Sequence, residues 1–386
     1  MIDPEALASP VDRMLVPYFE RLRERPGLDG PILDVHTHVG QNDPDGFKQT
    51  PAELIAQLEG IGARGVTFPM HEPDGYESAN DFALAAAEAS AGRLWAFCRV
   101  DPLSATTDPV AEAERCLDAG AAGIKLHPRA EGFTLGEPSV ERLFGLAGER
   151  RVPILVHAGR GIPALGRDSV RLTEAHPEAR LILAHGGISD LAWLQALVEP
   201  GSNLFFDTAW WNPADLIALF AYVPSSQILW ASDSPYGPPL TAFVWHLRCA
   251  LQAGLGPEAI RSLAGGQAER ILAGAEIELF EPPPGEAEPL EPMLERVFTH
   301  LVSAFGAAST GGDPAERIDL ARLSCTVPDD HPEAPLLHEL EGLICDAIAA
   351  YLPVGAEGEH VFGDLERTLV SLLCLARTPL AGPAGG

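Results

Sequence analysis

Eight short apolar runs recur along the chain, at residues 32–36, 66–70, 94–100, 123–127, 154–157, 181–185, 204–207 and 228–233. Between them lie stretches of helix length and composition, among them 51–62, 77–91, 108–119, 137–150, 166–176 and 188–199. Continuous apolar runs of this length suit strands buried on both faces, and an intervening helix implies that successive strands run parallel. Eight such units predict an α/β fold, a (β/α)8 TIM barrel. An open doubly wound sheet is the alternative, but no G-x-G-x-x-G or P-loop follows the first run.

The helical pattern continues through Glu258–Ile260 and Ala268–Leu272 and then stops at a Pro- and Glu-rich stretch. The expected organisation is a barrel domain over 1–278 with an N-terminal helix at 5–25, then an extended linker at 279–292. A small all-helical extension at 293–378 follows, carried by Leu337, Leu340, Ile344, Ile348 and Tyr351 and again by Leu365, Leu369, Leu372 and Leu373. The Gly- and Pro-rich tail, 379–386, reads as disordered.

The way the runs end carries the chemistry. The first ends in Asp34-Val35-His36-Thr37-His38, where period-two alternation puts His36 and His38 on one face. Two imidazoles side by side are half a metal site, since a catalytic zinc takes about three protein ligands and keeps a position open. Later runs end alike: Gly123-Ile124-Lys125-Leu126-His127-Pro128, Val156-His157-Ala158-Gly159, Ala184-His185-Gly186-Gly187 and Ser232-Asp233-Ser234-Pro235. Five endings of this kind fall at strand C-termini, the face where a TIM barrel carries its active site.

This set of motifs resembles the amidohydrolase superfamily, and more narrowly the branch that contains aminocarboxymuconate-semialdehyde decarboxylase. The resemblance covers about residues 31–275 and implies a metal-bearing barrel. It implies His36, His38, His157 and Asp233 as ligands of a divalent ion, with zinc the expected metal. It also implies His185 as a residue that binds a second ion or polarises the reacting oxygen, and Asp34 as a carboxylate that orients a histidine from behind. Lys125 stands in K-L-H-P, similar to the K-L-Y-P of dihydroorotases, whose carboxylated lysine bridges two metals. As a plain ammonium it would instead bind a substrate carboxylate. Two positions depart from the pattern: Tyr236 stands where many relatives carry His, and Gln267 where the helix after the eighth strand often holds Asn.

On this reading Asp233 and His185 are the catalytic residues of a metal-dependent hydrolase acting on an amide, lactone or ester. The alternatives are non-oxidative decarboxylation of a small aromatic or unsaturated acid, and a noncatalytic metal-bound subunit. His127, Arg129, Arg160, Trp210 and Tyr236 are the candidate substrate contacts, with Arg129 and Arg160 placed to clamp an anionic group and Trp210 and Trp211 to wall an apolar pocket.

Composition narrows the partners. A formal charge of −29 over 386 residues argues against nucleic acid or an anionic membrane as partner, while leaving an anionic small molecule open to a locally basic pocket. A homo-oligomer is compatible with the sequence. Six scattered cysteines without a C-x-x-C pair read as reduced thiols of a cytoplasmic protein. The N-terminus has no signal-peptide pattern, and no apolar segment is long enough to span a bilayer.

Overall fold

The computed structural model describes residues 10–44, 46–159, 165–280, 282–308 and 311–351. Arg160, the spacing expected at Leu365–Leu373, and the tail 379–386 lie outside them. The chain divides into two units, one from Leu22 to Ala287 and the other made of the N-terminal segment through Arg21 with Glu288 onward. The N-terminal helix, Pro10–Arg23, therefore groups mostly with the C-terminal helices, whereas the sequence reading counted it with the barrel.

The larger unit is a (β/α)8 barrel. Its strands are β1 (Ile32–Val39), β2 (Ala63–Pro69), β3 (Leu94–Arg99), β4 (Gly123–Leu126), β5 (Pro153–Val156), β6 (Arg180–Leu183), β7 (Leu204–Asp207) and β8 (Ile228–Leu229). They pair in sequence order, each parallel to the next. Closure falls to the chain just past β8, which turns onto β1: Val35 N donates to Trp230 O, Asp233 N to His36 O and His38 N to Ser234 O. One cluster of buried side chains draws on Leu33, Phe68, Phe97, Leu155, Ile182, Phe205 and Leu229.

Local chemistry starts the helices where the runs predict them. Thr50 and Glu53 form a reciprocal capping box ahead of Pro51–Gly60, and Asp108 and Asn212 cap Pro109–Asp118 and Pro213–Tyr222, each with Pro at the first position. The stretch 188–199 differs from its predicted helix. His185, Gly186 and Gly187 all have positive φ, and only a four-residue helix, Leu191–Leu194, follows. Asp190 is committed elsewhere, its Oδ2 accepting from Leu165 N and Gly166 N.

In the smaller unit, helix Pro292–Ala308 buries Leu294, Val297, Leu301, Ala304 and Phe305 at helical spacing. Helices Ala315–Ser324 and Ala334–Tyr351 follow, the latter burying Leu337, Leu340 and Ile344. Tyr18 OH donates to Glu339 Oε1 at 2.9 Å. No helix among the described residues is long and apolar enough to cross a membrane. The five described cysteines are free thiols.

Candidate metal centre

Strand β1 does not run straight into the site. Its register against β2 shifts between Asp34 and Thr37, a bulge that places an extra residue beside His36. His36 in the bulge and His38 beyond it bring their ring centroids 5.2 Å apart, and Phe68 packs on both rings. Asp233 arrives from the chain after β8. Its Oδ1 lies 3.1 Å from both His36 Nε2 and His38 Nε2. These three residues are the one group of at least three possible ligands that converges among the described residues.

Asp233 and His185 have positive φ, 67° and 58°. Such backbone costs roughly 1–3 kcal/mol per residue and persists where surroundings impose it. At Asp233 the imposing contacts are Asp233 N to His36 O at 2.9 Å and Gly237 N to Asp233 O at 3.0 Å. Gln49 ties the same two segments from the side, donating from Nε2 to His38 O and accepting at Oε1 from Ser234 Oγ.

Behind His36 stands Asp207, the last residue of β7. Its Oδ2 is 2.8 Å from His36 Nδ1, while its Oδ1 accepts from His185 N and Ala209 N. The sequence reading assigned the orienting role to Asp34, but Asp34 Oδ1 accepts from the backbone N–H groups of His36 and Ser232. It braces the strand, and Asp207 braces the imidazole. Burial alone would raise the Asp207 carboxyl; His36 and the donors around it hold it below its ordinary value.

His157 and His185 form a second pair. His185 Nε2 is 2.9 Å from His157 Nδ1, and His185 Nδ1 is 2.5 Å from Ala209 O. Both nitrogens of His185 are thus engaged within the site. His157 Nε2 is buried with no hydrogen-bond partner, and His157 stands outside the His36, His38, Asp233 group. Gly159 makes the pairing possible, because a Cβ there would lie 2.9 Å from His185 Cδ2 and 3.3 Å from His157 Cε1.

From β4, Lys125 reaches Nζ to 3.2 Å from His36 Nε2 and lies 4.5 Å from the Phe68 ring centroid. It is fully buried, and burial pulls its amine down to about 7. His127 stacks on His157 with centroids 3.9 Å apart. Its Nδ1 accepts from Ala130 N, so a neutral ring presents Nε2–H. Beside Lys125 in the β3–β4 register stands Arg99, which sequence reasoning passed over; its Nη2 is 2.7 Å from Glu131 Oε1.

Aromatic side chains flank the histidines on two sides. Tyr236 meets His38 edge to face at 5.2 Å and Phe47 at 4.6 Å, with its hydroxyl donating to Asp43 Oδ2. Trp210 faces His185 at 6.2 Å and Trp211 at 5.6 Å. Arg129 is exposed on the short helix Pro128–Glu131. Gln267 is a buried structural group, donating to Ser226 O and Glu278 O.

The donor set fits a divalent cation. Burial and Lys125 both push the His36 imidazole down, yet Asp233 and Asp207 together hold it above its ordinary value. The same two carboxylates that retain a proton there attract a cation. His38 has no such pair behind it, and burial takes it down to about 3, so its ring stays neutral and able to offer a lone pair. Asp233 is held well below the carboxylate range by the two imidazoles, against its burial. The orphaned His157 Nε2 is a buried polar atom without a partner, a gap of the kind a metal would fill.

The sequence model of the family described as Amidohydrolase matches residues 33–273. Among solved structures, 2,6-dihydroxybenzoate decarboxylase in complex with 2,6-dihydroxybenzoate is similar at 15% identity and a TM-score of 0.51, covering 63% of this chain and 99% of that one. The 5-carboxyvanillate decarboxylase of Sphingomonas paucimobilis is similar at 16% identity and TM-score 0.51, with the same coverages. A putative amidohydrolase from Staphylococcus aureus matches at 15% identity and TM-score 0.51, again over 63% and 99%. A comparison with curated proteins returned no match.

Proposed function

The chain belongs to the amidohydrolase family and is an enzyme of hydrolase or carboxy-lyase type, and on that premise we propose a divalent-metal-dependent hydrolase of a small anionic molecule. Its ion, which we take to be zinc, would be held by His36, His38, His157 and Asp233. The observation that carries this reading is Asp233, a carboxylate kept ionised beside two neutral-capable imidazoles, with Oδ1 3.1 Å from each Nε2.

A bound divalent ion lowers the pKa of its water from about 15.7 towards about 7. Asp233 is the base that takes the proton from the attacking water and returns it to the leaving group. Asp207 keeps His36 turned with Nδ1–H towards its carboxylate and Nε2 towards the centre. Lys125 and the Nε2–H of His127 supply cationic and neutral donors for an anionic group of the substrate. Tyr236 and Trp210 supply flat apolar walls on either side of the histidines.

Those walls also favour a second reading, decarboxylation of a small aromatic or unsaturated acid. Planar substrates suit a site lined by aromatic rings, and the buried Lys125 amine beside His36 suits a carboxylate. Two of the solved structures similar in fold are decarboxylases of such acids by name. One experiment separates the readings: zinc-loaded protein is given a panel of lactones, amides and aromatic carboxylates while acid release and carbon dioxide release are followed in parallel. Turnover of a lactone, amide or ester supports hydrolysis, and carbon dioxide without net acid release from an ester or amide bond supports the second reading. We place the enzyme in the cytoplasm, in keeping with its free thiols.

A further inference from the structure

The loop that follows β7 is linked to His157 through His185. Ala209 O can only accept a hydrogen bond, so His185 Nδ1, 2.5 Å away, carries a proton. A neutral His185 then offers only a lone pair at Nε2. His157 Nδ1, 2.9 Å from that lone pair, must be the donor, and this leaves His157 Nε2 unprotonated. That atom is buried and has no partner.

The carbonyl at the head of this chain is itself held. Ala209 N donates to Asp207 Oδ1 at 3.0 Å, and the residues on either side of Ala209 both reach His246, a 3%-exposed histidine on helix Pro239–Gln252. Trp210 O is 3.1 Å from His246 Nε2, and Thr208 Oγ1 is 3.0 Å from His246 Nδ1. Since Trp210 O can only accept, Nε2 carries the proton and Nδ1 accepts from the Thr208 hydroxyl. Thr208 Oγ1 also accepts from Ala231 N at 3.0 Å, which ties the loop to the chain leading to Asp233. The Thr208 hydroxyl has a second acceptor within reach, Ala231 O at 3.4 Å, and the shorter contact, 3.0 Å to His246 Nδ1, takes its proton.

We propose that His246 is a positioning residue of the metal centre: by holding Thr208 and Trp210 it fixes the Ala209 carbonyl, which through His185 sets the tautomer in which His157 offers Nε2 to a divalent ion. The proposal rests on the reading of His157 as a ligand. It also gives His185 a definite task, that of relaying a tautomer, in place of the second-ion or oxygen-polarising role inferred from resemblance.

Long-range proton–nitrogen correlation spectra of histidine-labelled apoprotein read the tautomers directly. Nδ1–H is expected at His157 and His185 and Nε2–H at His246. His246→Leu should weaken Zn2+ binding, measured by competition with a chelator, about 10–100-fold. It should also move the visible spectrum of the Co2+-substituted protein towards that of His157→Ala. His246→Gln, which keeps a donor and an acceptor on its amide, should recover most of the affinity and the spectrum. An Nε2–H tautomer at His157 in the native apoprotein overturns the proposal, as does a His246→Leu protein with native affinity and a native Co2+ spectrum. Should His246→Leu not fold, Thr208→Val cuts the same path and the same outcomes decide. Unchanged Zn2+ affinity in His157→Ala overturns the ligand reading and the proposal with it; the tautomer result alone overturns only the proposal.

Discussion

Asp207 Oδ2 lies 2.8 Å from His36 Nδ1, with both side chains buried, so the imidazole is gripped from behind while its other nitrogen faces Asp233. A ligand imidazole held this way loses rotational freedom and gains basicity, and removing the holder commonly costs 10–100-fold in metal affinity. Asp207→Asn should therefore bind Zn2+ about 10–100-fold more weakly in chelator competition while keeping its circular dichroism. Native affinity in a folded Asp207→Asn protein would show that His36 needs no brace.

Asp233→Asn removes the proton acceptor and keeps the shape. Asn also tolerates the left-handed backbone that Asp233 adopts, so the barrel should fold. Turnover should fall by ~10²–10⁴, with metal occupancy measured alongside because a ligand is also weakened. Near-normal turnover by metal-loaded Asp233→Asn would send the proton to another residue.

Lys125 decides the metal count. A second ion at His185 would have to displace the hydrogen bond between its Nε2 and His157 Nδ1, since its Nδ1 is committed to Ala209 O. One ion per chain and an unmodified Lys125 are the expected results of metal analysis and intact-mass measurement. Lys125→Met should then leave metal content unchanged and raise KM for an anionic substrate. Two ions, with a carboxylated lysine in density, would reverse the assignment.

Gly159→Ala tests the His157–His185 pairing by steric pressure. The added methyl would sit 2.9 Å from His185 Cδ2 and 3.3 Å from His157 Cε1, so one ring must give way. Overpacking of this kind typically costs about 1–3 kcal/mol. The expected result is a modest drop in Tm with a larger loss of metal affinity. A drop in Tm with affinity intact would mean that the rings move without consequence for the ion.

His246 gives a pH signature. Burial takes its imidazole from 6.5 down to about 4, so between those values the unfolded chain binds the proton and the folded chain does not. Stability assigned to this group is full above pH 6.5 and is lost as pH falls towards 4, reaching about 3 kcal/mol. Apoprotein carrying His246→Gln lacks this titration. Wild type should lose stability against the variant as pH falls from 6.5 to 4 in urea unfolding, and a difference flat with pH over that range would contradict the buried, neutral state.

All eight strands are readable in the sequence because a strand buried on both faces leaves an unbroken apolar run, and His36, His38 and Asp233 are readable because their runs end in polar residues followed by Gly or Pro. Asp207 carries the same signal, an acid ending the run Leu204-Phe205-Phe206, and Arg99 likewise stands near the end of its run. What sequence does not encode locally is which neighbouring ending each side chain meets. The brace on His36 comes from a strand far along the chain, and β1 reaches it only through a bulge that periodicity cannot reveal. His246 sits in a helix of largely buried residues and looks like core until its two nitrogens are traced to Thr208 and Trp210. The stretch 188–199 has helical composition, but the positive φ at Gly186 and Gly187 and the diversion of Asp190 lie in its approach and its tertiary contacts.

The barrel closes where Asp233 N meets His36 O and His38 N meets Ser234 O, so two proposed ligands from the first strand and one from just past the last face each other across the seam. An ion shared by these three residues is a clasp between the two ends of the barrel's own sequence. Such a cross-link opposes opening at the one junction that is not made between consecutive strands of the chain. It would remain shut in the holoprotein during fluctuations that let the apoprotein part, so amide exchange along β1 and residues 230–234 should slow on metal binding far more than exchange along β4 and β5.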